Sequence, residues 1–258
     1  MNMQEKIKSE GKCLFCGKMF AKAGVNKHLA AHLSEIAMTE QTGKSFILKV
    51  ETEKRYGSTP YFLSLWVDSE TTLKTIDKFL RDIWLECCGH LSAFRDPASK
   101  KKRSSGLFNA MEAFQQLTKG NAATNSGDIP MSRKAKDVLY KGLMLEYEYD
   151  FGSTTMLNIT VVDEYSVKAE KKIVLLSRNE PLQIMCLTCK KVPATQICTV
   201  CMYNGDAVFC NKCAKKHAKE CEDFDDYASM PVVNSPRMGV CGYEGGSIDT
   251  TRDGVFQL

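Results

Sequence analysis

The chain has 258 residues, 43% of them hydrophobic and 26% charged, with a formal charge of +4. No run nears the roughly 18 apolar residues of a membrane helix, and the length admits one substantial domain with small satellites rather than two large ones. The opening MNMQEKIKSEGK lacks the apolar core of a secretory signal, so the expected compartment is the cytoplasm, where twelve cysteines point to metal and not to disulfides.

Residues 1–40 read as a two-Cys, two-His zinc finger. Cys13 and Cys16 form a Cys-x-x-Cys turn that aims two thiolates at one point. His28 and His32, four apart on one helical face, complete a tetrahedron, with Phe20 and Val25 as a minimal core. Eleven residues separate Cys16 from His28, one short of the commonest spacing, so the helix must begin tightly.

From residue 43 the period changes to two. Phe46, Leu48 and Val50 alternate with Ile47, Lys49 and Glu51, which is a strand. A turn from Tyr56 to Pro60 leads to a second strand, with Tyr61, Leu63, Leu65 and Val67 on one side and Phe62, Ser64 and Trp66 on the other. A helical stripe of Leu73, Ile76, Leu80, Ile83, Trp84 and Cys87 follows, with N-cap candidates from Asp68 to Thr71; this helix should cover the sheet. A surface excursion from Asp96 to Met131 holds one short helix, Leu107 to Leu117, and another short helix is expected around Ser132 to Leu139. Leu143, Leu145, Tyr147, Tyr149 and Phe151 then alternate with Met144, Glu146, Glu148 and Asp150. Across the turn Gly152-Ser153-Thr154 come Leu157, Ile159 and Val161, giving a hairpin with one buried face. Lys172 to Leu176 adds another strand.

The end of the chain is dense in cysteine. Cys186, Cys189, Cys198, Cys201, Cys210 and Cys213 form three Cys-x-x-Cys knuckles, and His217 with Cys221 forms a fourth pair at helical spacing. Spacing alone leaves two pairings open, sequential or alternating. An acidic patch, Glu222 to Asp226, leads into the tail, 223–258, whose Pro/Gly-rich stretch from Pro231 to Leu258 is expected to be extended chain or turns.

The central stretch, residues 43–180, resembles the plasmid pRiA-four-b ORF-three-like family of insertion-element passenger proteins. The resemblance is carried by YFLSLWVD, TLKTIDKFLRDIWLE, HLSAF and LEYEYDFGSTTMLNITVVDE. It implies an α+β fold, a central sheet packed against helices, here flanked by small zinc-finger modules at both ends. No catalytic residues come with it, and Ser153, Thr155 and Leu157 stand where many members carry Asp, Trp and His. Residues 181–222 look like a MYND-type cross-brace finger. That resemblance implies one zinc on Cys186, Cys189, Cys210 and Cys213 and another on Cys198, Cys201, His217 and Cys221.

Three closed structural zinc sites are therefore expected, and bound thiolates and zinc ions together would bring the net charge to about +1, which selects no partner. Cys87, Cys88 and His90 read as packing at a helix end, since adjacent cysteines point apart, and Cys241 reads as a packed or free thiol. The leading expectation is a non-enzymatic interaction protein that contacts DNA or RNA in a mobile-element or regulatory setting. Its phosphate contacts would be Lys18, Lys22 and Lys27 around the first finger and the basic run Lys100, Lys101, Lys102 and Arg103. The alternatives are a protein-binding adaptor working through the C-terminal finger and a metal-dependent nuclease. The nuclease would use Glu146, Glu148 and Asp150 on one strand face, joined across the hairpin by Asp163 or Glu164. No Gly-rich phosphate loop or GxSxG elbow supports an enzyme.

Overall fold

The structure, a computed structural model, describes residues 9–39, 42–52, 60–98, 127–205 and 207–256. The helix expected over 107–117, the turn residues 56–59 and the basic run Lys100 to Arg103 lie outside them.

The chain is α+β. In chain order come β1 (Glu10–Lys12), β2 (Met19–Ala21), α1 (Val25–Thr39), β3 (Ser45–Thr52), β4 (Phe62–Asp68) and α2 (Leu73–Leu80). They are followed by β5 (Ser92–Arg95), α3 (Ala135–Val138), β6 (Met144–Tyr149), β7 (Thr155–Tyr165) and β8 (Ile173–Arg178). The last part adds β9 (Gln196–Cys198), β10 (Val208–Phe209), α4 (Asn211–His217) and β11 (Ser229–Pro231). Strands β3 to β8 form one six-stranded sheet in the order β5-β6-β7-β3-β4-β8, with every neighbouring pair antiparallel. The expected hairpin is β6–β7, with Leu145 opposite Ile159 and Tyr147 opposite Leu157. Strand β6 stops at Tyr149 and not at Phe151, because Asp150 turns to φ +63° and leaves Phe151 exposed.

One face of the sheet is covered by α2. Its N-cap is Thr72, one residue past the expected range, whose hydroxyl accepts the Thr75 N–H at 3.3 Å. After Leu80 the helix widens into a π turn over Arg81–Leu85. Leu73, Ile76, Leu80, Ile83 and Trp84 are buried against alternate residues of β3 and β4, Phe46, Leu48 and Val50 with Leu63, Leu65 and Val67. Leu145, Tyr147, Leu157 and Ile159 extend the same core.

The other face is buried as well. All seven residues of β4 are buried. Phe62 and Trp66, with Ile47 of β3, pack against Val25, Leu29 and Leu33 of α1 and against Cys13. Ser64 donates to Asn26 at 2.7 Å, and the Leu14 N–H reaches the Leu176 carbonyl at 2.9 Å. Val25 therefore does not serve a private core of residues 1–40; it belongs to the core beneath β4.

Residues 186–231 make a small unit with its own sheet, ordered β10-β9-β11. Strand β11 takes that unit past residue 222. The tail that follows carries almost no regular structure, as expected, yet Val232, Val233, Asn234, Ser235, Arg237 and Tyr243 are buried. Two of its contacts explain why. Ser235 Oγ donates to the Trp84 carbonyl at 2.7 Å, satisfying an acceptor at the π turn. Gly246 lies so close to that turn that a Cβ would stand 2.5 Å from the Ile83 carbonyl oxygen. No helix among the described residues is long and apolar enough to cross a membrane.

Candidate metal centres

The fold gathers Cys13, Cys16, His28 and His32 into one cluster with donor atoms within 4.8 Å of one another. The knuckle is closed by Cys13 N–H to the Lys18 carbonyl at 2.9 Å and Gly17 N–H to the Cys13 carbonyl at 2.8 Å, and Gly17 takes φ +75° to make that turn. Cys16 Sγ is 3.2 Å from His28 Nε2, which is 3.1 Å from His32 Nε2. Phe20 stacks on the His28 ring at 4.0 Å, fixing its plane.

At the other end the groups alternate along the chain. Cys186, Cys189, Cys210 and Cys213 form one cluster and Cys198, Cys201, His217 and Cys221 the other. The sequential pairing is thereby excluded. Strand β9 delivers Cys198 to the second cluster, while α4 carries Cys213 to the first and His217 to the second. Phe209 stacks on His217 at 4.3 Å, and Phe224 meets the same ring edge-on at 5.1 Å.

These sites suit zinc on three independent grounds. Sulfur–sulfur separations of 3.9 Å for Cys189–Cys210 and 4.0 Å for Cys198–Cys221 match the edge of about 3.8 Å expected of a tetrahedron with thiolate–zinc bonds of about 2.3 Å. They are far too long for disulfides, and all twelve cysteines are free thiols. The buried Nε2 of His217 has no hydrogen-bond partner, and a metal ion is the partner its chemistry calls for. Finally, the thiols are electrostatically divided. The Lys18 backbone N–H first, then the His32, His28 and Cys13 side chains, hold Cys16 down at about 6. Burial pushes Cys201 and Cys213 up to about 12, and their neighbouring sulfurs add to it. Crowded sulfurs that cannot all ionise alone are stabilised together by a central dication.

A fourth cluster overturns two expectations. Cys87, Cys88, His90 and Cys241 have donor atoms within 4.8 Å of one another. Cys87 and Cys88 do not point apart, because the helix has ended: Glu86 is extended and Gly89 takes φ +82°. Cys241, expected alone, is 3.7 Å from Cys88 Sγ. The signal that would have found this site is arithmetic. The chain holds twelve cysteines and four histidines, and removing the three expected sites leaves three cysteines and one histidine, a complete zinc ligand set.

Of the expected phosphate-contact residues, Lys18, Lys22 and Lys27 are among the described residues. Lys18 and Lys27 are exposed, while Lys22 is held by Glu51 at 2.7 Å. The carboxylates of the nuclease reading are dispersed. Glu148 is paired to Arg95, and Asp150 to Arg237 at 2.6 Å. Asp163 is paired to Lys141 at 2.8 Å and Glu164 to Lys44 at 3.1 Å, at the far end of β7 from Met156, which stands opposite Glu148. The register of the hairpin keeps the two sets apart.

No protein family matches the chain, and no curated protein does. Among solved structures, a protein of unknown function from Methanosarcina mazei Go1 is similar with a TM-score of 0.35 at 16% identity, over 53% of this chain and 68% of that one. At that level nothing transfers to this chain.

Proposed function

We propose that the chain is a non-enzymatic, zinc-stabilised interaction protein whose C-terminal unit binds a protein partner. Zinc at the three clusters read from sequence, Cys13/Cys16/His28/His32 and the alternating pair at the other end, would contribute on the order of 10 kcal/mol of folding free energy per site. Four protein ligands leave no open position for a reacting water, which is the arrangement of structural zinc.

The observation that carries the reading is a groove of about 470 Å³ beside α4. Ala214, Ala218 and Phe224 give it an apolar lining, Lys215 and Lys219 a basic side, and Asp225 closes it. Lys215 and Lys219 are exposed, four residues apart, with Lys212 and Lys216 exposed beside them. Leu187, Val192, Val200, Tyr203 and Tyr227 of the same small unit are also exposed, Tyr203 at 88%. An extended acidic peptide with an apolar anchor fits that chemistry.

Nucleic acid is the second reading, supported by exposed Lys18 and Lys27. It is weaker, because α1 spends Val25, Leu29 and Leu33 on the sheet, and Lys22 before it is spent on Glu51. Selection of peptides from a random display library on the zinc-loaded protein separates the two. Acidic peptides should be enriched and should lose binding to a K215E/K219E variant. No enrichment, together with duplex DNA binding whose log affinity falls steeply with log salt and depends on Lys18 and Lys27, would reverse the order.

A further inference from the structure

We infer that Cys87, Cys88, His90 and Cys241 form a fourth zinc site, a staple that fastens the tail to the end of α2. Every cysteine and histidine of the chain then belongs to a four-residue cluster, with none left over. Three of these ligands come from one tight turn and the fourth from 151 residues beyond His90, so local sequence accident does not produce the meeting.

The sulfur–sulfur distances are those of a metal tetrahedron with thiolate–zinc bonds of about 2.3 Å. Cys87 and Cys88 sulfurs are 3.8 Å apart, and Cys88 and Cys241 sulfurs 3.7 Å. His90 Nε2 is 3.0 Å from Cys88 Sγ and 3.2 Å from Cys241 Sγ. These values are close to those in the other clusters, where Cys16 and His28 are 3.2 Å apart. The backbone is shaped for it on both sides. Gly89 at φ +82° reverses the chain so that His90 returns over Cys88, and Cys241 itself sits at φ +51° with Gly242 following at φ +67°.

An outer layer supports the ligands. Buried Arg237 directs Nη2 at Cys87 Sγ from 3.5 Å, and Tyr149 Oη is 3.7 Å from the same sulfur. Asp150, held by Arg237, is 3.5 Å from His90 Nε2, the nitrogen that would face the ion, so its carboxylate adds negative charge beside the dication. Donors aimed at a thiolate are surroundings that tune a zinc ligand. Three thiolates and one imidazole select a borderline-soft dication, and zinc fits all four donors without redox chemistry. Because Cys88 and Cys241 are exposed, this zinc should exchange faster than the ions of the C-terminal pair, where Cys186, Cys198, Cys210 and Cys213 are buried.

Native mass spectrometry of the full, reduced, zinc-loaded chain tests the staple by difference. His90→Ala and Cys241→Ser should each carry one zinc fewer than the unaltered chain, and His90→Cys, which exchanges one zinc ligand for another, should keep the full number. The Arg237 and Arg178 contacts hold the tail in all three variants. An unchanged count in His90→Ala and Cys241→Ser overturns the site. A total below four that still falls by one upholds the staple and strikes one of the other three sites instead.

Discussion

Arg237 Nη2 lies 2.6 Å from Asp150 Oδ2, both groups buried, joining the C-terminal tail to the end of β6 across 87 residues of sequence. The same guanidinium donates to the Ser153 carbonyl at 2.8 Å and to Thr155 Oγ1 at 3.1 Å, and lies over the Tyr149 ring at 4.8 Å. One side chain therefore sets the turn between β6 and β7 and positions the fourth metal cluster. Burial works against the charge of Asp150, but Arg237 outweighs it and holds the carboxyl below its usual range. Removing Arg237 strands a buried anion. Arg237→Met should cost about 3–5 kcal/mol, measured by urea denaturation with zinc held in excess. A cost under about 1 kcal/mol would mean that the tail is not part of the core.

The N-terminal cluster is predicted to be inseparable from the sheet. Leu29 of α1 is fully buried among Ile47, Phe62 and Trp66, so Leu29→Ala should destabilise the cooperative unfolding of the whole sheet by about 2–5 kcal/mol. Gly11 makes the same point from the backbone. A Cβ there would stand 2.6 Å from the Phe62 ring and 2.8 Å from the Arg178 carbonyl oxygen, so Gly11→Ala should cost about 1–3 kcal/mol. Should both substitutions leave the main denaturation midpoint unmoved, residues 9–39 fold as an independent module.

Much of this was legible in the sequence, and the gaps have physical causes. Period-two alternation located β3, β4, β6 and β7, and the stripe from Leu73 to Trp84 located α2, because each sorts the residues that meet the core under α2 from the rest. The second covered face was signalled by Ile47, Phe62 and Trp66, but nothing local says what lies on them, and α1 looked like a finger with its own small core. The four Cys-x-x-Cys knuckles and the helical pairs His28/His32 and His217/Cys221 declared twelve ligands because both members of each pair are near neighbours. Cys241 had no such neighbour. Its partners depend on where an irregular tail runs, and that path is set by buried groups such as Arg178, which donates to the Asn234 carbonyl at 2.7 Å and to Asp249 at 3.3 Å, and which also pairs with Asp253. An arginine in a strand gives no sequence sign of being wholly buried.

Acid should act on the charged link between the start of α2 and α3 in a defined direction. Lys134 first, then Lys136, hold the Glu70 carboxylate down at about 2, with ion-pair distances of 2.7 and 2.5 Å. A carboxylate depressed in the folded chain stabilises it above the ordinary glutamate range, and that contribution is lost as pH falls toward the folded value. The link is solvent-exposed, so salt should weaken it. At about pH 4.3, where a free glutamate is half protonated, carbon-detected NMR should find Glu70 still ionised at low salt. Lys134→Met with Lys136→Met should restore ordinary titration. Half-protonated Glu70 in the unaltered chain at that pH would contradict the pairing.

The central claim is that metal engages every cysteine of this chain, and thiol labelling tests it most directly. The reduced, zinc-loaded protein would be treated with a maleimide and its twelve cysteines followed individually by peptide mass spectrometry, with and without prior chelation. Protection of all twelve, exposed Cys16, Cys88 and Cys241 included, and rapid labelling once zinc is withdrawn, is the predicted result. Immediate labelling of Cys87, Cys88 and Cys241 alone would remove the fourth site, and labelling of all twelve at the same rate with or without chelator would contradict the account as a whole.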